Sequence, residues 1–284
     1  MYRITPIEPV DYLIIGHVTQ DVTPNGLVLG GTASYAALTA RAIGYRVGIV
    51  TACAADIDLS SLQGIPIVSQ ESEFSTTFEN IQTPEGRVQI LHHRSLPLDL
   101  SMVPETWRTA PIVHLGPVAQ EVDIHLVHAF PRSFVGLTPQ GWMRGWDQQG
   151  HVHFDPWPEA AYVLEKASAA VMSIEDIAQD ESYVDEFAAY TRVMAITEGA
   201  NGARVFWNGD QRRVRPPGVK EVDSIGAGDI FAAAFFARMV QSRDPWESAR
   251  YANCMASTSV TRKGLAGIPT MNEVVSCMVE VVKE

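Results

Sequence analysis

Short β-branched runs separated by helical stretches recur along most of this chain, and that alternation restricts its fold more than any other feature. The runs are VDYLII (10–15), VGIVTA (47–52), PIVHL (111–115), SFVGL (133–137), HVHF (151–154), AAVM (169–172) and VMAIT (193–197). Strands separated by helices form a largely parallel sheet with helices on both faces. Thr32 to Gly44 is one such helix: Ala33, Ala36, Ala37, Ala40 and Ile43 share a face, and Gly44 is placed to end it. Asp244-Pro245-Trp246-Glu247 opens another, with an N-cap, a first-turn proline and a capping-box glutamate. Ligands of such sheets bind at the carboxyl ends of the strands.

Two stretches break the rhythm. Thr19 to Gly31 carries an Asn25-Gly26 turn between short extended pieces, and Ser75 to His93 alternates around Pro84-Glu85-Gly86 as a hairpin. Neither offers a helix. A small β-flap from about 17–31 and 70–95, projecting over the edge of the main sheet, accounts for both; two ordinary surface hairpins are the alternative. The expected organisation is a single α/β domain over 1–284 carrying that flap.

The most informative segment is Val222-Asp223-Ser224-Ile225-Gly226-Ala227-Gly228-Asp229, which runs directly into IFAAAFFARMV. The second part, small and aromatic with one charge, must be a nearly wholly buried helix. A glycine turn at the head of such a helix suits an anion, because Gly226 and Gly228 let backbone approach and first-turn N–H groups point outward. Asp229 then has two readings: a carboxylate stabilising the helix N-terminus, or a base beside a phosphate cradle. No GK[ST] follows the glycines, and Phe231 stands where a GxGxxG motif would need its last glycine.

DSIGAGD resembles the D-T-x-G-A-G-D signature of the ribokinase-like (PfkB) carbohydrate kinases, with Ser224 in place of Thr. Gly30-Gly31-Thr32-Ala33-Ser34-Tyr35 is similar to that family's N-terminal di-glycine, and the likeness runs from about Asp11 to Pro269. It implies a ribokinase-like three-layer sandwich with a mostly parallel central sheet and a small β-lid. It also implies that Asp229 is the catalytic base and the backbone of Gly226, Ala227 and Gly228 the anion hole. Asp21, Gly30, Gly31 and Ser34 fall at acceptor-binding positions. Thr197, Gly199 and Gly202 match the T-x-G-x-x-G turn under a nucleotide, Asn253 a position beside adenine, and Ser224 a place at the donor. The N-x-x-E motif linked to magnesium appears as Ser173-Ile174-Glu175-Asp176, which makes Asp176 and Glu175 the indirect Mg2+ candidates. The Asp223 region is where a monovalent cation such as K+ would sit.

Gln140 and Arg144 follow the carboxyl end of a strand, from where either can reach substrate; a loop salt bridge is the competing role for Arg144. The histidine pairs lack a third ligand at fixed spacing and read as structural or surface groups. With 21 Lys+Arg against 33 Asp+Glu, net charge is −12, which excludes nucleic acid and anionic membrane surfaces as partners but not a small phosphorylated ligand. Apolar residues make up 46%, enough for a large core. Three cysteines without CxxC exclude a disulfide framework, with Cys254 a buried, inert thiol, and point to a reducing compartment. No signal-peptide pattern or membrane-length apolar run is present, so a cytoplasmic protein is expected.

Together these imply an ATP-dependent phosphotransferase moving the γ-phosphate to a hydroxyl of a sugar or cyclitol, with Mg2+. Two alternatives stand: a nucleoside kinase, its base stacked on Tyr35 or Phe74, and a non-catalytic nucleotide- or sugar-binding relative. An exposed flap edge is a plausible homodimer seam.

Overall fold

The computed structural model describes residues 7–83 and 86–278. Its strands are β1 (Tyr12–Ile15), β2 (Thr19–Thr23), β3 (Gly26–Gly30), β4 (Val47–Cys53), β5 (Ile67–Glu71), β6 (Thr76–Thr83), β7 (Gly86–His93), β8 (Ile112–Leu115), β9 (Phe134–Leu137), β10 (Arg144–Trp146), β11 (Val152–Phe154), β12 (Ala169–Ser173), β13 (Val193–Thr197), β14 (Ala203–Trp207) and β15 (Asp210–Val214). The α-helices are α1 (Gly31–Ile43), α2 (Ala160–Leu164), α3 (Glu181–Tyr190), α4 (Ala227–Ser242), α5 (Pro245–Ser259) and α6 (Met271–Met278).

Among the described residues, nine strands form the main sheet in the order β15-β14-β13-β12-β9-β8-β1-β4-β5. Pairing is parallel from β5 to β13 and antiparallel through β14 and β15. Successive residues of β1 face opposite layers: Tyr12 and Ile14 pack with α1, α4, α5 and α6, and Leu13 and Ile15 with α2 and α3. This is the α/β three-layer sandwich with a mostly parallel sheet. The strand HVHF is the exception among the expected ones. As β11 its last three residues pair with β10 in a separate two-stranded hairpin, and His151 bridges Ile90 of β7, so its partners all lie outside the main sheet. The edge strand β5 and the β14–β15 hairpin complete the sheet without the long periodic signal that marks the others.

The two aberrant stretches do come together. They form a four-stranded sheet, β3-β2-β6-β7, in which β2 and β6 run parallel. Residues 70–71 belong to the main sheet rather than to this lid, and Pro84 and Glu85 of the expected turn lie outside the described residues. The small sheet is pinned by the β10–β11 hairpin, since the Leu91 N–H donates to Gly150 O at 2.8 Å and Phe78, Leu91, Val118 and Ala119 pack with Trp146 and Val152. On its outer strand, Leu27 and Val28 are exposed.

The buried helix is α4, whose residues Ile230 to Ala237 are all buried. Gly136 on β9 makes its approach possible, because a Cβ there would lie 2.6 Å from the Phe236 ring. Helix α5 begins as expected, with Asp244 accepting from the Trp246 and Glu247 amides. Glu247 does not close a capping box, however. Its carboxylate pairs with Arg238 of α4 at 2.7 Å, a stronger charge-assisted partner than a backbone amide.

Cys254 is not a free thiol. It is disulfide-bonded to Cys277, joining α5 to α6 across a separation of 23 residues. A bridge closing a loop of that length stabilises by about 3 kcal/mol in the chain-entropy account. Reduction, or Cys254→Ser, is therefore expected to lower the melting temperature by several degrees, which differential scanning calorimetry with and without a thiol reductant measures. An unchanged melting temperature would mean that α6 is held by its packing alone.

Candidate active site

Strand order reverses at β1: the chain runs outward to β4 and β5 on one side and to β8, β9 and β12 on the other. The carboxyl ends of β1 and β8 therefore part around a crevice, the usual ligand position in such sheets. Gly16 and Gly116 stand there, so close that a Cβ on Gly16 would lie 2.3 Å from Gly116 O. The lid leaves the main sheet beside it. His17 ties the lid's crossings together: its Nε2 donates to Leu96 O at 2.8 Å and its Nδ1 accepts from the Thr76 hydroxyl at 2.7 Å. Burial pushes the His17 pKa down, so the ring stays neutral and keeps both bonds. Glu121, also buried, accepts from the backbone amides of His17, Val118 and Ala119. The sequence carries no sign of these two residues' partners, since each lies dozens of positions from at least one of them.

The di-glycine lies where β3 turns into α1. A Cβ on Gly30 would come 2.4 Å from Asp21 Oδ2, and Gly31 takes φ +84°, a conformation that favours glycine. Asp21 on β2 thus faces the start of α1, as expected. Ser34 does not join it. Fully buried, its hydroxyl donates to Gly30 O at 2.7 Å, which satisfies a carbonyl at the helix start and commits its hydrogen to the main chain.

At the head of α4, Gly226 is the N-cap with φ +77°. A Cβ there would lie 2.2 Å from the Tyr35 ring, so Tyr35 forms the floor of the turn. The Ile230 N–H makes the first helical bond to Gly226 O, and the Ala227 N–H turns back to Ser224 O at 3.2 Å. The outward-facing donors of the first turn are then those of Gly228 and Asp229, and Ala227 is not one of them. Asp223 holds this loop in place: its Oδ1 accepts from the Ile225 N–H and its Oδ2 from the Gly264 N–H. Both oxygens of Asp223 are thus engaged by backbone, an arrangement that suits an anchor better than a cation ligand.

Asp229 stands at the third position of α4. Its carboxyl pKa is raised to about 6, first by burial, against which a hydrogen bond with Thr32 and the positive charge of Arg144 act; Asp176 and Asp21 push it further up. Arg144 and Gln140 are both here, but bound to protein. Gln140 Nε2 donates to Thr32 Oγ1 at 3.0 Å, Arg144 Nη2 donates to Gln140 Oε1 at 2.9 Å, and Arg144 Nη1 donates to Val118 O at 2.9 Å. The Arg144 guanidinium also lies over the Phe78 ring of the lid, 5.4 Å from its centroid. The Gln140 amide has further donor and acceptor capacity for a ligand, whereas the Arg144 guanidinium only donates.

A cleft of about 660 Å³ is lined by Ser173, Glu175, Gln179, Gly199, Asn201 and Arg213 among others. Gly199 faces it, with φ +54°. Gly202 turns the chain back, since a Cβ there would lie 2.0 Å from Val214 O. The Thr197 hydroxyl donates to Met172 O at 3.4 Å, joining two strand ends rather than lining the cleft. Asn253 is likewise turned inward: buried, it donates to Val214 O at 3.0 Å and holds the end of β15. Ser224 is exposed on the loop before Gly226. Ser173 and Asp176 form a capping box, with Asp176 Oδ2 accepting from the Ser173 N–H at 2.8 Å. Glu198 is paired with Arg204 and Arg213.

Comparison with known proteins shows what this fold is similar to. A family model described as pfkB family carbohydrate kinase matches residues 159–271, the span that carries the cleft and α4. Inositol 3-kinase of Oryza sativa subsp. japonica is 25% identical over 95% of this chain and 72% of its own length. Ribokinase of Bacillus subtilis is 39% identical over a shorter stretch, 32% of this chain and 31% of its own. Among solved structures, a pyrophosphate-dependent kinase of the ribokinase family, complexed with a pyrophosphate analog and myo-inositol, superposes with a TM-score of 0.78 at 18% identity, covering 93% of this chain and 99% of its own. Arabidopsis thaliana ribokinase complexed with ribose and ATP gives 0.73 at 18%, covering 95% and 99%. Residues 159–271 thus match the pfkB family carbohydrate kinase model, and the chain as a whole has the fold of the ribokinase-family kinases.

Proposed function

We propose that this kinase moves the terminal phosphate of ATP onto a hydroxyl of a small polyol, a sugar or cyclitol, with Asp229 as general base and the head of α4 as the anion hole. The observation that carries this reading is the position of Asp229: a carboxylate in the first turn of a buried helix, under the glycine turn, where burial raises its pKa to about 6 and the charges of Arg144, Asp176 and Asp21 act on it. A raised pKa near the working pH is what a general base needs. In the transfer, the acceptor O–H bond breaks as its oxygen bonds to phosphorus. The proton passes to Asp229 while the bridging P–O bond of the donor opens. The Gly228 and Asp229 amides, set by the helix and by Asp223, meet the charge on the transferring group without reorganising. Asp21 and Arg144 have the polar chemistry to hold hydroxyls, and Gly30 and Gly31 let the acceptor approach backbone. Gly199 and the cleft beside it would take the donor.

Magnesium would neutralise donor phosphate charge when bound. Among the described residues no three His, Cys, Asp or Glu side chains gather to hold a metal ion. Glu175 is the carboxylate that lines the cleft, so the residues present fit a cation carried mainly by phosphates and water.

The polyol reading is favoured over a nucleoside because one expected stacking ring is covered and the other, though exposed, already has one face stacked. Tyr35 is buried under Gly226, and Phe74 stacks on His93 at 4.4 Å. A release assay with ATP and with pyrophosphate, over cyclitols, pentoses, hexoses and nucleosides, tests the proposal. Turnover with ATP on a cyclitol or sugar is expected. Turnover with pyrophosphate alone would replace the donor, turnover on nucleosides alone would replace the acceptor class, and ATP binding without turnover would leave a binding protein.

A further inference from the structure

We propose that the Thr138 hydroxyl is a further acceptor-binding group, its hydrogen left free for a substrate hydroxyl by a buried relay from Tyr12 through His114. This rests on the reading of the protein as a polyol kinase. Thr138 follows β9 and continues the sheet, its N–H donating to Leu115 O at 3.1 Å. It therefore stands beside Gly116 at the crevice. A Cβ on Gly116 would lie 2.7 Å from Thr32 Cγ2 and 3.2 Å from Thr138 Oγ1. Gln140, the hydrogen-bond partner of Thr32, follows two residues later. Behind this edge lie Tyr12 of β1 and His114 of β8, both wholly buried. The Tyr12 hydroxyl is 3.0 Å from His114 Nδ1, and His114 Nε2 is 2.9 Å from Thr138 Oγ1. The Phe236 ring of α4 stands edge-on to the imidazole, 4.9 Å between centroids, and packs it in place.

Three hydrogens compete for these two bonds: one on Tyr12, one on the imidazole and one on Thr138. The ring carries only one because it is wholly buried with two hydroxyls, and no carboxylate, as hydrogen-bond partners; a neutral imidazole has one N–H and one bare nitrogen. Were the N–H on Nδ1, it would donate to Tyr12 and strand the phenol hydrogen in the core, since among the described residues His114 is the one hydrogen-bond partner of that hydroxyl. A buried donor without an acceptor costs more than a bond gains. Tyr12 therefore donates to Nδ1, and Nε2–H donates to Thr138. The Thr138 oxygen is thus an acceptor, and its own hydrogen has no acceptor among the described residues. Ser34 is the contrast, its hydrogen committed to Gly30 O. Thr138 keeps 6% exposure, at a strand end where ligands of such sheets bind. A neutral donor there suits the neutral oxygen of a polyol.

Thr138→Val keeps shape and removes the hydroxyl. With myo-inositol and ribose as probes, it is expected to raise the acceptor KM about 3- to 10-fold, the scale of one neutral hydrogen bond, with the donor KM within about twofold of wild type. Thr138→Ser should restore it. Monodeoxy forms of the acceptor locate the partner: with one of them, wild type and Thr138→Val should have the same affinity by titration calorimetry, while the others keep the difference. An unchanged acceptor KM, or a difference kept by every monodeoxy form, would overturn the proposal. The nitrogen-15 spectrum of the His114 ring gives a test that needs no acceptor and no variant. Nδ1 is expected bare and Nε2 protonated at neutral pH; the reverse would commit the Thr138 hydrogen to the ring and overturn the proposal even if Thr138→Val fails to fold. The two readings fail separately. Wild type that turns over no polyol removes the kinase reading and this one with it, whereas an active wild type beside an unaffected Thr138→Val removes only Thr138.

Discussion

Asp229→Asn is expected to lose at least 10²–10⁴ in kcat, the usual contribution of a positioned base, while becoming more stable than the wild type at neutral pH. The second half follows from the same burial that suits the residue to its task. Its folded pKa is about 6 against an ordinary 3.8. The folded state therefore holds the proton more tightly than the unfolded one, and the ionised carboxylate costs stability above pH 6. Those two values correspond to about 3 kcal/mol, an upper figure because Asp229 keeps some exposed surface. The cost fades as pH falls through 6 and is gone below the unfolded value. Asparagine has no charge to desolvate. The melting-temperature gap between variant and wild type should thus be several degrees at pH 8 and close toward pH 4. Wild-type kcat should fall with pH below about 6, as the base takes up its proton. A variant with near-normal turnover would remove Asp229 from the chemistry, and a constant melting gap across pH would show that its burial is not what raises its pKa.

Gly226→Ala is the second large effect, arising from shape rather than charge. At φ +77° an L-residue is strained by about 1–2 kcal/mol. The new methyl would also lie 2.2 Å from the Tyr35 ring, which is 3% exposed and has no room to withdraw. The head of α4 must shift instead, taking the Gly228 and Asp229 amides with it. Removing one oxyanion donor costs about 10²–10³ in kcat, and a loss on that scale is expected, with a melting temperature lowered by several degrees. Adding Tyr35→Ala should recover the part of the stability lost to the clash but not the backbone strain. Gly228→Ala is the contrast: nothing lies within 4 Å of its Cβ position, so it should melt like the wild type. Any activity it loses then reports the close approach of a ligand. Gly226→Ala with kcat within threefold of wild type would show that the turn does not have to be where it is.

Part of this site is legible in the sequence because its chemistry demands residue types at fixed local spacing. Gly226, Gly228 and Asp229 lie within one turn of helix, and Gly30 and Gly31 must let backbone pass close to Asp21. The misreadings share the opposite property. Ser34 and Asn253 are polar residues on helices with two faces to choose from, and both turn inward to main-chain carbonyls. Cys254 finds its partner on another helix. Tyr35 looks available for stacking until Gly226 is seated on its ring. In each case the motif gives the residue, and the packing decides what its polar or aromatic group faces.

The sequence by itself determines the alternation that makes a parallel three-layer sheet, the burial of α4, and the glycine turn at its head, because each depends on periodicity or on a few consecutive residues. Tertiary structure alone decides what surrounds Asp229. Thr32 and Gln140 are 108 residues apart yet hydrogen-bonded, and Arg144 and Asp21, from two further elements, act on the charge of Asp229. The direction of a hydrogen bond between such residues has no local signal. It is fixed by which atoms can only donate, and by the space that a glycine such as Gly116 leaves for a methyl group.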